Sequence, residues 1–157
     1  MFLAILVGAG MFHGSVLTYG MAAALIVNLV VRLIRTGWTG PGFWKNVAIM
    51  MIVSLVTAAA HLIQIGLWAV AFLLVGEIST FEGAFYCSAE NYTALAYGDI
   101  VLSERWRLLG PLEAINGLLL FGLSTALMFA ILSRLITNYL RLKVGHPDQA
   151  AGNPDGR

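Results

Sequence analysis

The stretch Asn91-Tyr92-Thr93-Ala94-Leu95-Ala96-Tyr97-Gly98-Asp99 lies between two long apolar segments and is too polar and turn-prone to be a membrane span itself. Just before it, residues 76–91 interleave Glu77, Ser79, Glu82, Ser88 and Glu90 with Phe81, Phe85, Tyr86 and Cys87. That pattern predicts a helix of about three turns, with Ser79 or Thr80 as its N-cap and Glu82 in its first turn. Such a helix is too short to cross a bilayer. A short helix followed by a non-helical stretch predicts a re-entrant segment. At membrane depth, non-helical backbone is tolerated only where it is buried in protein or lines water.

The composition around this stretch supports a membrane setting. The chain has 157 residues, 59% of them hydrophobic and 11% charged, with a mean hydropathy of +0.84. A soluble domain of this length needs far more charge to cover its surface. The expected fold class is an all-α membrane protein. Cys87 is the single cysteine and forms no intrachain disulfide. No histidine–cysteine cluster has metal-site spacing. No nucleophile and base stand together, and there is no phosphate loop, so an enzyme is not expected. A transporter is set aside because there is neither an inverted repeat nor a pair of broken helices. No nucleic-acid partner is expected.

Three apolar runs are long enough to span. Phe2–Val31 carries no charge and is too long for a signal-peptide core. Gly8, Gly10, Gly14 and Gly20 permit close packing with other helices in lipid. His13 and Asn28 are its polar exceptions. Trp38, Phe43 and Trp44 read as interface anchors in the loop that follows. Val47–Val75 is the second run, with His61 and Gln64 on one helical face as a hydrogen-bonding pair against a neighbouring helix. Leu108 to about Leu132 is the third. Glu113 is expected at the outer interface, paired with Arg105 or Arg107, and Trp106 as an interfacial anchor. Cys87 is expected to pack within its short helix. The tail from Gly145 onward is too poor in apolar residues to fold.

Arg32, Arg35, Lys45, Arg134, Arg141 and Lys143 fall on one side of the three runs, which the positive-inside rule makes cytoplasmic. The expected topology is N-terminus outside and C-terminus cytoplasmic, in the cell (inner) membrane. The expected divisions are an N-terminal helix over 1–35, a cytoplasmic loop over 36–46, a pore domain over 47–136 and a cytoplasmic tail over 137–157.

Leu95-Ala96-Tyr97-Gly98-Asp99 resembles the selectivity filter of potassium channels, which reads Thr-Val-Gly-Tyr-Gly in that family. Two further features extend the resemblance. Glu90 lies nine residues before Asp99, as a pore-helix glutamate does in several prokaryotic members. Gly117-Leu118-Leu119-Leu120-Phe121-Gly122-Leu123-Ser124-Thr125-Ala126 is similar to the family's inner-helix pattern Gly-x-x-x-Phe-Gly-Leu-x-Thr-Ala.

The resemblance covers roughly residues 47–132 and implies a fourfold homotetramer in the lipid bilayer. Thr93, Ala94, Leu95, Ala96, Tyr97, Gly98 and Asp99 would form the ion filter. Glu90 and Asp99 would meet behind it and share a proton. Gly117 would be the inner-helix hinge, Phe121 and Thr125 would line the cavity, and Phe129 would approach the cytoplasmic constriction. No cofactor is implied beyond permeating potassium, or sodium or calcium in its place. The first run has no counterpart in the minimal two-helix unit and lacks the arginine ladder of a voltage sensor. It is expected to pack around the outer helix from the lipid side. Two positions depart from the pattern: Ala96 replaces the first filter glycine and Ala94 the filter threonine. Three readings stay open: a potassium-channel-like pore, a nonselective cation channel, and a non-conducting partner subunit.

Overall fold

The computed structural model describes residues 2–36 and 43–144, and the side chains of all of these except 43 and 142–144. Trp38 and the tail from Gly145 onward lie outside the described residues, as do the side chains of Phe43 and Lys143. The described residues form four helices: α1 (Phe2–Arg35), α2 (Phe43–Leu74), α3 (Phe81–Tyr92) and α4 (Leu109–Val144). Helices α1, α2 and α4 are each long and apolar enough to cross a membrane. They hold 34, 32 and 36 residues, beyond the roughly 20 that a ~30 Å hydrocarbon core requires.

The long helices outrun the apolar runs. Helix α1 continues through Arg32 to Arg35, and α4 continues through Arg134 and Arg141. Arginine is a good helix former, and no glycine or proline interrupts either extension. Arg32 and Arg35 also place positive charge in the last turn of α1, where the helix carbonyls favour it.

Helix α3 packs between α2 and α4, and α1 lies against both α2 and α4. The first helix therefore does more than cover the outer helix from the lipid side. Three apolar clusters run along the bundle. Ala4, Trp68, Phe72, Ala84, Cys87, Trp106 and Leu109 fill the end that holds α3. Tyr19, Ile65, Tyr92 and Leu120 meet further along. Ile26, Val30, Ile49, Val53, Ile131 and Leu135 join α1, α2 and α4 at the opposite end. Leu17, Met21 and Leu25 on α1, and Leu55 and Leu62 on α2, remain exposed, as a lipid-facing surface requires.

Trp106 corrects an expectation. It is buried in the core beside Trp68 and Leu109 instead of anchoring an interface. The segment after Asp99 turns tightly, with the Trp106 and Leu109 amides bonding the Ser103 and Trp106 carbonyls at 2.9 and 2.8 Å. This turn tucks the indole inward and leaves the Arg105 guanidinium 5.4 Å above its ring.

Gly117 marks the closest approach of α4 to α3. A Cβ there would overlap the Tyr92 carbonyl oxygen, a backbone atom that has little room to yield. Gly14 on α1 has nothing within 4 Å of the same position. Gly117→Ala is therefore expected to lose roughly 1–3 kcal/mol of stability, as overpacking does. Gly14→Ala should leave stability unchanged or raise it by up to ~1 kcal/mol through helix propensity. Thermal unfolding of both variants in detergent checks the contrast.

Candidate functional site

Helix α3 begins and ends with side chain and loop groups that satisfy its free backbone. The Thr80 hydroxyl accepts the Gly83 amide at 3.3 Å as N-cap, and Glu82 occupies the first turn. At the other end, the Leu95 amide bonds the Glu90 carbonyl and the Ala94 amide bonds the Asn91 carbonyl, both at 2.9 Å. This pair of bonds is a Schellman closure, which requires a left-handed residue just past the helix. That residue is Ala94, with φ of 56°. Helix α2 closes in the same way, with the Glu77 and Gly76 amides on the Phe72 and Leu73 carbonyls, and there the residue is Gly76 at φ 77°.

The loop beyond Ala94 keeps this unusual backbone. Ala96 has φ of 46° and Gly98 of 78°, so positive φ recurs at 94, 96 and 98. Each alanine carries a Cβ penalty of roughly 1–2 kcal/mol there. Positive φ is costlier still for a β-branched side chain, so threonine suits position 94 poorly and alanine is tolerated. Thr93 supplies the hydroxyl at this end; it donates to the Ala89 carbonyl at 2.7 Å. Residues 93–99 are all exposed in the single chain. The C-terminal end of α3, with its partial negative charge, adjoins Thr93 and favours a cation nearby.

Buried polar contacts hold α3 against its neighbours. The Ser88 hydroxyl lies 2.8 Å from the Ile65 carbonyl of α2 and 2.5 Å from Glu113 Oε1 of α4. Within α3, Asn91 Nδ2 donates to Cys87 Sγ at 3.6 Å. Glu113 is fully buried, which corrects its expected place at the outer interface with Arg105 or Arg107. The helical phase of α4 turns it toward α3, on the same stripe as Asn116, Gly117, Leu120 and Ser124.

One turn further along, His61 joins three helices. Ser124 Oγ gives its hydrogen to the Leu120 carbonyl at 2.8 Å, so it accepts from His61 Nε2 at 2.8 Å. Tyr92 then donates its hydroxyl to His61 Nδ1 at 2.9 Å. This fits the neutral ring with its hydrogen on Nε2. Gln64 turns to α1 and donates to the Ser15 carbonyl at 2.9 Å. The expected face of His61 and Gln64 thus bonds three different partner helices.

Behind the loop, a cleft of about 190 Å³ is lined by Glu90, Asn91, Ala96, Gly98, Arg107 and the start of α4. Glu90 is buried, while Asp99 accepts the Ile100 amide at 3.0 Å. Among the described residues no hydrogen bond joins Glu90 to Asp99 directly. The Tyr86 phenol instead lies near both carboxyls. The returning segment is fastened separately, by Glu77 accepting the Ser103 amide at 2.6 Å and its hydroxyl at 2.7 Å.

Of the inner-helix residues singled out by sequence, Gly117 abuts Tyr92, and Phe121 stacks on His61 with ring centroids 4.5 Å apart. Thr125 is exposed and bonds back to the Phe121 carbonyl at 2.9 Å. Phe129 is exposed on the same helix. The sequence reading missed Tyr86, Ser88, Tyr92 and Ser124. For Ser88 and Ser124 the available signal was helical phase, since each lies on the buried stripe of its helix.

Residues 58–134 match the profile of a family described as ion channels. That stretch runs from α2 through α3 and the loop into α4, leaves α1 outside, and supports an ion channel pore domain. No curated protein and no solved structure matches the chain.

Two substitutions test the geometry. Ala94→Gly removes a Cβ from a left-handed position and is expected to raise the thermal stability of the purified protein by roughly 1 kcal/mol, whereas Ala94→Val lowers it. Tyr92→Phe leaves His61 Nδ1 without its donor and is expected to cost about 1–3 kcal/mol by the same measurement. An unchanged Tyr92→Phe midpoint would count against the buried bond.

Proposed function

We propose that this chain is a passive channel for monovalent cations, potassium-channel-like, that works as a fourfold homotetramer. The observation that carries the reading is the Thr93–Gly98 loop: it closes α3, repeats positive φ at every second residue and lies within the family match. A cation pore needs backbone carbonyls that converge on one axis and replace the ion's hydration shell. Alternating backbone handedness supports that use, because an ordinary strand points successive carbonyls to opposite sides. In this reading the carbonyls of Ala94, Leu95, Ala96 and Tyr97 meet the ion, with Thr93 at the cavity end and Gly98 at the outer turn. Glu90 and Asp99 brace the loop through Tyr86. Phe121, Thr125 and Phe129 face the cavity and the inner constriction, and Gly117 serves as close packing or hinge.

The arginine-bearing end of α1 and α4 is cytoplasmic in this proposal, which places the N-terminus outside a cell (inner) membrane. A nonselective pore is the second reading, favoured by one observation. Ala94 lacks the hydroxyl that the family's threonine gives the innermost ion site, and Ala96 holds its positive φ against a Cβ. Both changes weaken discrimination between potassium and sodium.

Purified tetramer in liposomes, under separate potassium, sodium and calcium gradients, tests the reading. Potassium-dominated flux is expected. Comparable sodium or calcium flux would keep the pore and remove the potassium label. No flux under any gradient would sink the channel reading. Ala96→Gly restores the family's residue and is expected to raise the potassium-to-sodium permeability ratio; bi-ionic reversal potentials measure it.

A further inference from the structure

At the end of the bundle away from α3, α1 and α4 enclose a groove of about 520 Å³. Its wall is apolar, built from Val30 and Ile34 of α1 and from Leu127 and Ile131 of α4. Two arginines on different helices, Arg35 and Arg134, stand at the groove, and both are exposed. The described carboxylates are Glu77, Glu82, Glu90, Asp99, Glu104 and Glu113, and all lie between the end of α2 and the first turns of α4. Along α4, Arg134 is about 30 Å beyond Glu113 at 1.5 Å per residue. Among the described residues, then, no carboxylate is placed to offset the two guanidinium groups.

We propose that this groove holds one anionic diacyl phospholipid per chain. An acyl chain lies along Val30, Ile34, Leu127 and Ile131, and the headgroup phosphate meets Arg35 and Arg134. A guanidinium matches phosphate oxygens with two parallel hydrogen bonds, which an ammonium does not. Basic pockets between membrane helices bind anionic headgroups for this reason. A helix from a second copy fits the groove poorly. In a parallel assembly it would bring its own Arg32, Arg35, Lys45, Arg134 and Arg141 to the same level and no described carboxylate. A zwitterionic lipid would leave the positive charge of the groove only partly answered. The site uses α1, which lies outside the matched pore region, and ties it to α4.

Native mass spectrometry of the full chain, with phosphatidylglycerol or phosphatidylcholine of identical acyl chains added to the micelle, tests this. One phosphatidylglycerol per chain is expected to survive desolvation while phosphatidylcholine is lost. The Arg35→Ala/Arg134→Ala double variant is expected to need roughly tenfold or more phosphatidylglycerol for half-saturation. Arg141→Ala, outside the groove, should match the wild type. Equal retention of the two lipids, no retention of either, or an unchanged double variant would overturn the proposal. So would displacement by glycerol phosphate alone, which would make this a phosphate site with no part for the acyl chain. None of these readouts depends on ion flux, so failure here and failure of the channel reading are distinguishable.

Discussion

A twelve-residue helix cannot cross a bilayer, so wherever α3 enters one its polar groups must be satisfied inside the protein. That constraint organises the structure. Thr80 closes the first turn, and the loop from Ala94 closes the last. The middle is held by Ser88 against Glu113, and the last residue by Tyr92 against His61. These contacts come from α2 and α4, so α3 sits in a cradle made by both helices. Left unpaired in that setting, each such group would cost about 1–3 kcal/mol. The same bonds that make a short buried helix tolerable also fix where its C-terminus points.

The closure at Ala94 links stability to the shape of the loop. Helix α2 uses Gly76 for the same motif, at no Cβ penalty. Helix α3 uses alanine and so carries strain at the point where the loop departs. Ala96 repeats it two residues later. Strain of this kind persists only where surrounding bonds over-determine the backbone. Here the Glu90 and Asn91 carbonyls capture the loop amides, and Glu77 pins the returning segment through Ser103. The alanines at 94 and 96 thus follow from one local backbone problem, and threonine at 94 would make that problem worse.

The helices were legible in the sequence because apolar runs of this length have few alternatives in water or lipid. The N-cap of α3 was legible too, since Thr80 precedes Glu82 at the start of an interleaved pattern. Helix ends were less so: α1 and α4 continue through arginines that hydropathy alone does not distinguish from loop. Glu113 and Trp106 were misplaced for a shared reason. Both look interfacial by residue type, yet helical phase turns Glu113 toward Ser88, and a tight turn folds Trp106 into the core. Phe121 and Thr125 were singled out by motif. The partners Tyr92, Ser88 and Ser124 were not, because a hydroxyl reveals its bond only when the facing helix is known. The wedge of α1 against α4 was also invisible, since nothing in its sequence names the surface it covers.

The measurement that tests the pore most directly is anomalous diffraction from crystals of the assembled protein grown with rubidium or thallium in place of potassium. Four chains around one axis are predicted, with anomalous peaks on that axis at the level of the Ala94, Leu95, Ala96 and Tyr97 carbonyls. An assembly with no such axis, or a Thr93–Gly98 loop turned away from it with no ion bound, would contradict the filter.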